Sequence, residues 1–170
     1  MNDTTMDQAR WRALADHDVA AVTALADRVH PGLPERPEVF RNRIGLFADG
    51  AIVLDTGAAI VGYGVAPPIE RLSPPPLDTI LDRLEPSADA FYIHDVVVAP
   101  ERRGRGEARQ GIDRLLGIAA RFPVTTLISV YRTGPFWARF GFAAIDDTAI
   151  GAKLAAYGPD AIYMQRDNRL

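Results

Sequence analysis

Cysteine is absent from this 170-residue sequence, and lysine, serine and histidine are scarce. Without cysteine the chain can form no disulfide, use no thiolate in catalysis and build no cysteine-bound metal site. Lys153 is the only lysine, so the Gly-Lys-Ser/Thr of a phosphate loop is missing and a lysine Schiff base has little basis. No serine lies in a Gly-x-Ser-x-Gly elbow, and no histidines have His-Glu-x-x-His spacing. These absences argue against a serine hydrolase, and we expect no metal site.

The sequence also lacks a strong net charge and a long apolar run. It carries 19 basic and 22 acidic residues, a formal charge of −3, so no overall field attracts nucleic acid or an anionic membrane. No apolar run reaches the length of about 18 residues that a spanning helix needs, and the polar N-terminus is unlike a signal peptide. We therefore expect a cytoplasmic protein without nucleic-acid or membrane partners. One domain is expected over residues 1–170, with residues 1–8 as a flexible tail.

Hydrophobic periodicity predicts a mixed α/β domain in which helices and strands are interspersed. Strands are predicted at residues 11–14, 51–54, 58–65, 90–98, 125–130 and 161–165. Helices are predicted at residues 19–29, 37–50, 78–84, 107–119, 135–140 and 150–157. The second and third strands flank Asp55-Thr56-Gly57 and should form a hairpin. The proline-rich stretch 67–76 is expected to be a surface loop.

The most distinctive segment runs from the longest apolar strand through an arginine- and glycine-rich loop into a helix. Arg103, Gly104, Arg105 and Gly106 stand directly before the predicted helix. N–H groups at a helix N-terminus favour an anion, glycines let a pyrophosphate approach the backbone, and arginines bind phosphate oxygens. A Rossmann fingerprint would need glycine or alanine where Arg109 stands, so a dinucleotide site is excluded. Taken alone, the loop is equally compatible with a solvated arginine turn.

Two motifs in and after this segment resemble those of the GNAT superfamily of N-acetyltransferases. Arg103-x-x-Gly106-x-Ala108, after Val98-Ala99-Pro100, resembles the family's acetyl-CoA signature, Gln/Arg-x-x-Gly-x-Gly/Ala. Residues 136–142, Phe-Trp-Ala-Arg-Phe-Gly-Phe, resemble its later aromatic motif. The order of predicted elements over nearly the whole chain is also similar to the order in that family's fold.

The resemblance implies a mixed, mostly antiparallel sheet that splays open after its central strand, with helices on its flanks. Acetyl-CoA, as co-substrate, would lie in that opening, and a backbone N–H near Val97 would bind the oxyanion. By position, the implied cofactor-binding residues are Val96, Val97, Val98, Arg103, Gly104, Arg105, Gly106, Glu107, Ala108, Phe136 and Trp137. The amine would attack the thioester directly, and this chemistry needs no enzyme nucleophile.

Direct transfer needs a group that accepts a proton from the ammonium, and the resemblance implies Asp95, three residues before Val98. His94 is the second candidate. Strand alternation puts these two side chains on opposite faces unless a bulge intervenes. Either residue is also compatible with a purely structural role as a hydrogen-bonded polar group that shapes the opening.

The sequence departs from the family pattern near the thioester. Trp137 stands where many relatives carry a tyrosine that protonates the leaving thiolate, and an indole cannot act as an acid. Tyr131, in the turn where an asparagine is common, offers a phenol, although packing is the commoner role for such a residue. We expect an acetyl-CoA-dependent N-acetyltransferase acting on a primary amine, with a non-catalytic acyl-CoA-binding module as the alternative. The acceptor stays open among polyamines, antibiotics, amino acids and protein lysines, and a homodimer is compatible with the sequence.

Overall fold

Two β-sheets and five α-helices make up residues 8–169, the part of the chain that the computed structural model describes. The strands are β1 (Arg10–Ala13), β2 (Ala51–Asp55), β3 (Ile60–Val65), β4 (Pro68–Ile69), β5 (Ala90–Ile93), β6 (Asp95–Val98), β7 (Val124–Ser129), β8 (Ala143–Ala144) and β9 (Ile162–Asp167). The helices are α1 (Val19–Val29), α2 (Pro37–Leu46), α3 (Glu107–Ala119), α4 (Gly134–Ala138) and α5 (Thr148–Leu154). The tail expected at residues 1–8 lies, apart from Gln8, outside the described residues.

The two sheets meet where β5 passes into β6. The first sheet has the antiparallel order β1-β2-β3-β6, and the second has the order β4-β5-β7-β9-β8. β5 pairs with β7 in parallel, whereas β6 pairs antiparallel with β3. The change of partner occurs at His94, whose backbone N–H donates to Val65 O at 2.9 Å. Beyond His94 an opening separates β6 from β7, and the mixed, mostly antiparallel, splayed sheet is confirmed.

The predicted strand 90–98 is therefore two strands, and its apolar pattern hides the break. Ile93 and Val97, on either side of His94, are both buried, so the hydropathy pattern alone predicts one continuous strand. Periodicity reports whether a residue is buried but not which neighbouring strand it pairs with. The break is the feature that creates the opening.

Separate hydrophobic clusters anchor the two sides of the molecule. One packs α1 and α2 against the first sheet, with Val22, Phe40 and Tyr63 among its members. The other packs α3 between the sheets, where Leu115 meets Ile52 and Leu127. Both sheets are thus held at one end by core packing while their other ends stand apart.

Residues 78–84 form no helix, so that prediction is wrong. Side chains of α2 form hydrogen bonds with backbone N–H and C=O groups of this segment that would otherwise pair within a helix. The Asn42 amide bonds both N–H and C=O of Leu81, and Arg43 donates to Thr79 O. Asp78 has a positive φ of 54° and accepts hydrogen bonds from Arg36. The helical pattern in this segment is overridden by tertiary hydrogen bonds.

Other predictions differ mainly at element boundaries. The hairpin between β2 and β3 is confirmed, with a bulge at Leu54/Asp55 and a turn that ends at Ile60. The proline-rich stretch begins with β4, a two-residue edge strand in which proline is tolerated. Among the helices of residues 8–169, none is long and apolar enough to cross a membrane.

Candidate active site

The opening between β6 and β7 exposes backbone groups of β6. Ala99 N–H donates to Val61 O at 2.8 Å, and Val97 lies opposite Tyr63 in the same ladder. Antiparallel ladders alternate, so Val97 turns its amide toward β3 while Val96 and Val98 turn theirs toward the opening. β6 is an edge strand of its sheet, and these two residues therefore offer hydrogen bonds to an extended ligand.

The loop that follows β6 has the backbone conformation that its glycines permit. Gly104 has φ +81° and Gly106, the N-cap of α3, has φ +75°. A Cβ at either position would meet no protein atom within 4 Å, so the requirement for glycine comes from the left-handed backbone. The backbone N–H groups of the loop lie next to the N-terminus of a 13-residue helix, and this arrangement is suited to binding a phosphate group.

A buried ion pair fixes the two ends of this loop. The Arg102 guanidinium meets the Glu107 carboxylate at 2.5 and 2.9 Å, and both side chains are less than one-tenth exposed. Arg102 is thus part of the scaffold and not of a solvated arginine turn. Glu107, an implied cofactor residue, turns its carboxylate to Arg102, while its carbonyl oxygen accepts from Trp11 Nε1 at 2.8 Å. Any contact of Glu107 with a phosphate is through its backbone N–H.

A cleft of about 760 Å³ runs from this loop along β6. Its basic lining includes Arg103, Arg105, Arg109 and Arg139, and its other walls include Val96, Val98 and Phe136. Arginine side chains around a groove of exposed N–H groups give it a positive potential in a chain of net negative charge. The cleft matches a long, phosphate-bearing ligand such as CoA.

The aromatic motif packs as a cluster at the inner end of the cleft. Trp137 is in ring contact with Phe136, Phe140 and Phe142, and Phe142 is almost fully buried. Phe136 lines both the cleft and a smaller neighbouring pocket, whereas Trp137 lines only the smaller pocket. Of the two aromatic residues that the sequence assigned to one cofactor site, only Phe136 thus borders the cleft.

That smaller pocket, of about 160 Å³, holds both proton-acceptor candidates. It shares His30, Val96, Tyr131, Thr133 and Phe136 with the cleft, so the two spaces are continuous. Asp95 accepts from His30 Nε2 at 3.1 Å and from the Tyr63 hydroxyl at 2.5 Å. His94 lines the same pocket, because the break between β5 and β6 relieves the alternation that would separate the two side chains.

His30 and Asp95 form a coupled imidazole–carboxylate pair. Burial alone would lower the pKa of His30, but its hydrogen bond with Asp95 and the Asp95 charge raise that pKa above 6.5. Burial would raise the pKa of Asp95, and the bonds from His30 and Tyr63 lower it below 3.8. Asp95 is therefore an ionised carboxylate at neutral pH, and it stabilises the protonated form of His30.

Tyr131 completes this group from the other side of the opening. Its hydroxyl lies 3.2 Å from His30 Nδ1, and the two rings stack with centroids 5.6 Å apart and 13° between planes. Tyr131 and Arg132 both have positive φ, 54° and 60°, in the turn after β7. Such a conformation costs about 1–3 kcal/mol per residue and occurs often at functional sites. Burial and the Asp95 charge raise the pKa of Tyr131, so its phenol stays protonated at neutral pH.

A second histidine–carboxylate pair lies beside the first. His94 Nε2 is 2.5 Å from Glu35 Oε1, and the side chains are 5% and 9% exposed. Burial would raise the pKa of Glu35, but His94 and the backbone N–H of Asp78 lower it, so this carboxylate is also ionised. Glu35 comes from the connection between α1 and α2, which forms one wall of the pocket.

Sequence reasoning missed His30, Glu35 and the orientation of Tyr131. His30 is 65 residues from Asp95 and Glu35 is 59 residues from His94, so no local spacing joins them. The available signal was His30-Pro31-Gly32 at the end of a predicted helix, which marks only a helix end. Among residues 8–169 no three His, Asp or Glu side chains are grouped as ligands for a metal ion.

Comparisons with known proteins agree with this geometry. The model of the acetyltransferase (GNAT) family matches residues 14–142. No curated protein matches the sequence at a significant level.

Solved structures share the fold at low identity. The loading GNATL domain of CurA from Lyngbya majuscula is 14% identical with a TM-score of 0.73, over 96% of this chain and 99% of that one. Arabidopsis thaliana Naa50, in complex with the bisubstrate analogue CoA-Ac-MVNAL, is 12% identical with a TM-score of 0.67, over 94% and 98%. The GNAT-like decarboxylase GphF, in complex with isobutyryl-CoA, is 20% identical with a TM-score of 0.68, over 94% and 100%.

The family match covers well over half of the chain, and the neighbours share its fold from end to end. Both the resemblance and the fold predicted from the sequence are therefore confirmed. The chain belongs to the GNAT family of acetyltransferases.

Proposed function

We propose that this protein is an N-acetyltransferase that moves the acetyl group of acetyl-CoA directly to a primary amine. The observation that carries the proposal is the continuity of two spaces at the His94 break. A basic, N–H-lined cleft opens into a pocket that contains an imidazole–carboxylate pair and no cysteine or serine side chain among its lining residues in the described chain.

Acetyl-CoA would bind along the cleft. Its pantetheine amides would pair with the backbone of Val96 and Val98, and its pyrophosphate would lie on the N–H groups of residues 103–108. Arg103, Arg105 and Arg109 surround that loop and would neutralise the phosphates. The left-handed glycines and the cleft volume of about 760 Å³ support this assignment.

His30 Nδ1 would accept the proton from the attacking amine. Asp95 is hydrogen-bonded to Nε2, which fixes the ring and leaves Nδ1 toward Tyr131 and the opening. As the amine nitrogen bonds to the thioester carbon, its proton passes to Nδ1, either directly or through the Tyr131 hydroxyl. Asp95 stabilises the resulting imidazolium, so it positions the base and is not itself the base. An amide of β6 that faces the opening, at Val96 or Val98, would bind the tetrahedral oxyanion.

Tyr131 would supply the proton that the leaving group needs. When the carbon–sulfur bond breaks, the phenol donates to the CoA thiolate and is reprotonated by the His30 imidazolium. The amine has then lost one proton, the thiol has gained one, and the site is restored. This arrangement replaces the tyrosine that is missing at Trp137.

Steady-state kinetics with an amine panel test the proposal. Direct transfer gives intersecting initial-velocity patterns and no acetylated protein by intact mass after incubation with acetyl-CoA alone. Parallel patterns with a stable acetyl-enzyme would overturn it. Binding of acetyl-CoA without turnover of any amine would instead favour the non-catalytic acyl-CoA-binding module, which the loss of the tyrosine at Trp137 motivates.

A further inference from the structure

The pocket beside the cleft has an asymmetric set of charges. Of the described residues that line it, the acidic ones are Glu35 and Asp95, the basic candidates are His30 and His94, and none is arginine or lysine. Each carboxylate is hydrogen-bonded to one histidine. The pocket is therefore negative while the histidines are neutral, and it has no fixed cation to bind an anionic substituent.

One ring nitrogen of His94 lacks a hydrogen-bond partner in the pocket. The ionised Glu35 carboxylate can only accept, so Nε2 of His94 carries the hydrogen of that bond. In the neutral ring Nδ1 is then an acceptor, and it is buried with no hydrogen-bond partner in the protein. Buried polar atoms are usually satisfied, so this one calls for a donor. When the ring is neutral, an amine N–H satisfies it, whereas a carboxylate, which only accepts, does not.

Three cations elsewhere in the fold, Arg43, Lys153 and Arg132, lie outside the pocket lining. Arg43 is 2% exposed and donates to Asn42 and Thr79 O, and its charge also acts on Glu35 and Tyr157. Lys153 donates to Leu72 O, and Arg132 pairs with Asp160 at the surface. The described lining of the pocket therefore offers no arginine or lysine to an anionic group of a substrate.

Apolar side chains form much of the remaining wall, namely Leu33, Leu77, Ile93 and Leu127, and Tyr131, Thr133 and Tyr157 add neutral hydroxyl groups. The pocket volume of about 160 Å³ is well above what a single water needs. The space fits a short hydrocarbon substituent next to the reacting nitrogen.

We infer that the acceptor is a small primary monoamine with an apolar skeleton and no carboxylate beside the amino group. This inference rests on the proposed function and narrows it. Free α-amino acids carry a carboxylate next to the amine, in the region where Glu35 and Asp95 would repel it and no cation would pair with it.

Matched pairs of amines that differ by the carboxylate test this selectivity. With saturating acetyl-CoA, phenethylamine should exceed phenylalanine, and 3-methylbutylamine should exceed leucine, by at least 100-fold in kcat/KM for thiol release. The amino acid is the weaker base and has more free amine at neutral pH, so basicity opposes the expected order. Phenylalaninamide separates charge from size, because it keeps the carbonyl group and should recover most of the lost activity.

Variants connect the selectivity to the pocket. Glu35→Gln should lower the ratio of kcat/KM for phenethylamine to kcat/KM for phenylalanine about tenfold. Glu38→Gln, at an exposed site on α2, should leave this ratio unchanged. Circular dichroism would check that each variant is folded, and the wild-type comparison stands even where a variant is not.

Four outcomes are decisive. Equal or better turnover of the amino acids, or an amide as poor as the acid, would overturn the charge argument while leaving acetyl transfer intact. Higher kcat/KM for a lysine peptide than for the monoamines would overturn the size argument. Turnover of no amine, despite acetyl-CoA binding by calorimetry, would instead contradict the proposed function itself.

Discussion

His30 and Asp95 act as one unit, and their coupling has a definite pH signature. His30 must be unprotonated to accept a proton, so kcat/KM should rise with pH through a pKa that Asp95 holds above 6.5. In Asp95→Asn the hydrogen bond and the charge are weakened while burial still disfavours the imidazolium, so the acid limb should shift to lower pH. We expect kcat at neutral pH to fall by about 10²-fold. Rate–pH profiles of both proteins should be compared with the same amine, because the titration of the amine then contributes equally to both profiles.

Two further variants complete this comparison. His30→Gln keeps a hydrogen bond but cannot titrate, so its profile should show only the titration of the amine. Asp49→Asn removes an exposed carboxylate that pairs with Arg121, far from the pocket, and should match the wild type. An acid limb that is identical in wild type, His30→Gln and Asp95→Asn would show that solvent accepts the proton.

Tyr131 and Trp137 are both aromatic residues at the opening, but only Tyr131 carries an acidic proton. Tyr131→Phe keeps the ring stack on His30 and removes the hydroxyl, so kcat should fall by about 10–100-fold with little change in the KM for acetyl-CoA. Trp137→Phe keeps an apolar wall and should retain most activity. If Tyr131→Phe keeps full kcat, while Trp137→Tyr gains activity and a new alkaline limb, the acid is required at position 137 instead.

At the scale of elements, the loop before α3 depends on two left-handed glycines. Gly106→Glu forces a side chain into φ +75° and adds a negative charge in the arginine-lined cleft, so acetyl-CoA affinity should fall by at least 100-fold. Gly117→Glu adds the same charge to the exposed side of α3, where a Cβ meets no atom within 4 Å, and serves as the matched control. Calorimetric titration compares the two, and equal affinities in folded proteins would exclude this loop as the phosphate site.

β6 offers a prediction at single-residue resolution. Val97 is paired with Tyr63 in the free protein, whereas Val96 and Val98 turn their amides to the opening. Hydrogen exchange followed by NMR should find the Val97 amide protected throughout, and the other two protected only after acetyl-CoA is added. Slow exchange of all three amides without ligand would contradict the alternating amide directions along β6.

The elements that the sequence predicts well are those whose cause is local. Glycines at 104 and 106, Pro100 shortly after β6 and the apolar stripe of α3 fix a strand, a turn and a helix within residues 95–119. Segment 78–84 fails for the opposite reason, because its backbone groups bond to Asn42 and Arg43 on α2. Periodicity carries no information about such distant partners.

The same distinction divides the candidate site. The arginine- and glycine-rich loop and Asp95 are predicted from motifs, and the structure places them around one opening. His30, Glu35 and Tyr131 reach that opening from α1, the α1–α2 connection and the end of β7. Their convergence depends on helix packing and on a strained turn. Neither feature can be recognised from a motif, because the residues are far apart in the sequence.

At the scale of the whole molecule, the two sheets meet at His94, where β5 passes into β6, and they are separated at the opening between β6 and β7. A ligand that spans the cleft touches β6 of one sheet and α4 beside the other. Binding should therefore stabilise the whole fold and not only the loop. Acetyl-CoA at a hundredfold excess over its Kd should add about 2.7 kcal/mol to the free energy of unfolding. For a chain of this size that corresponds to a rise in Tm of about 5–10 °C.

Differential scanning calorimetry with truncated thioesters shows which contacts produce this rise. S-acetyl-N-acetylcysteamine keeps the thioester and one amide but lacks the phosphates, so at the same concentration it should raise Tm by less than 1 °C, because the arginine-lined loop supplies most of the affinity. In Gly106→Glu the response to acetyl-CoA should shrink to the level of this short thioester. A full rise in Tm for that variant with acetyl-CoA, or an equal rise for wild type with both thioesters, would assign the binding energy to the inner pocket. Either result would exclude the arginine-lined loop as the main source of affinity for CoA.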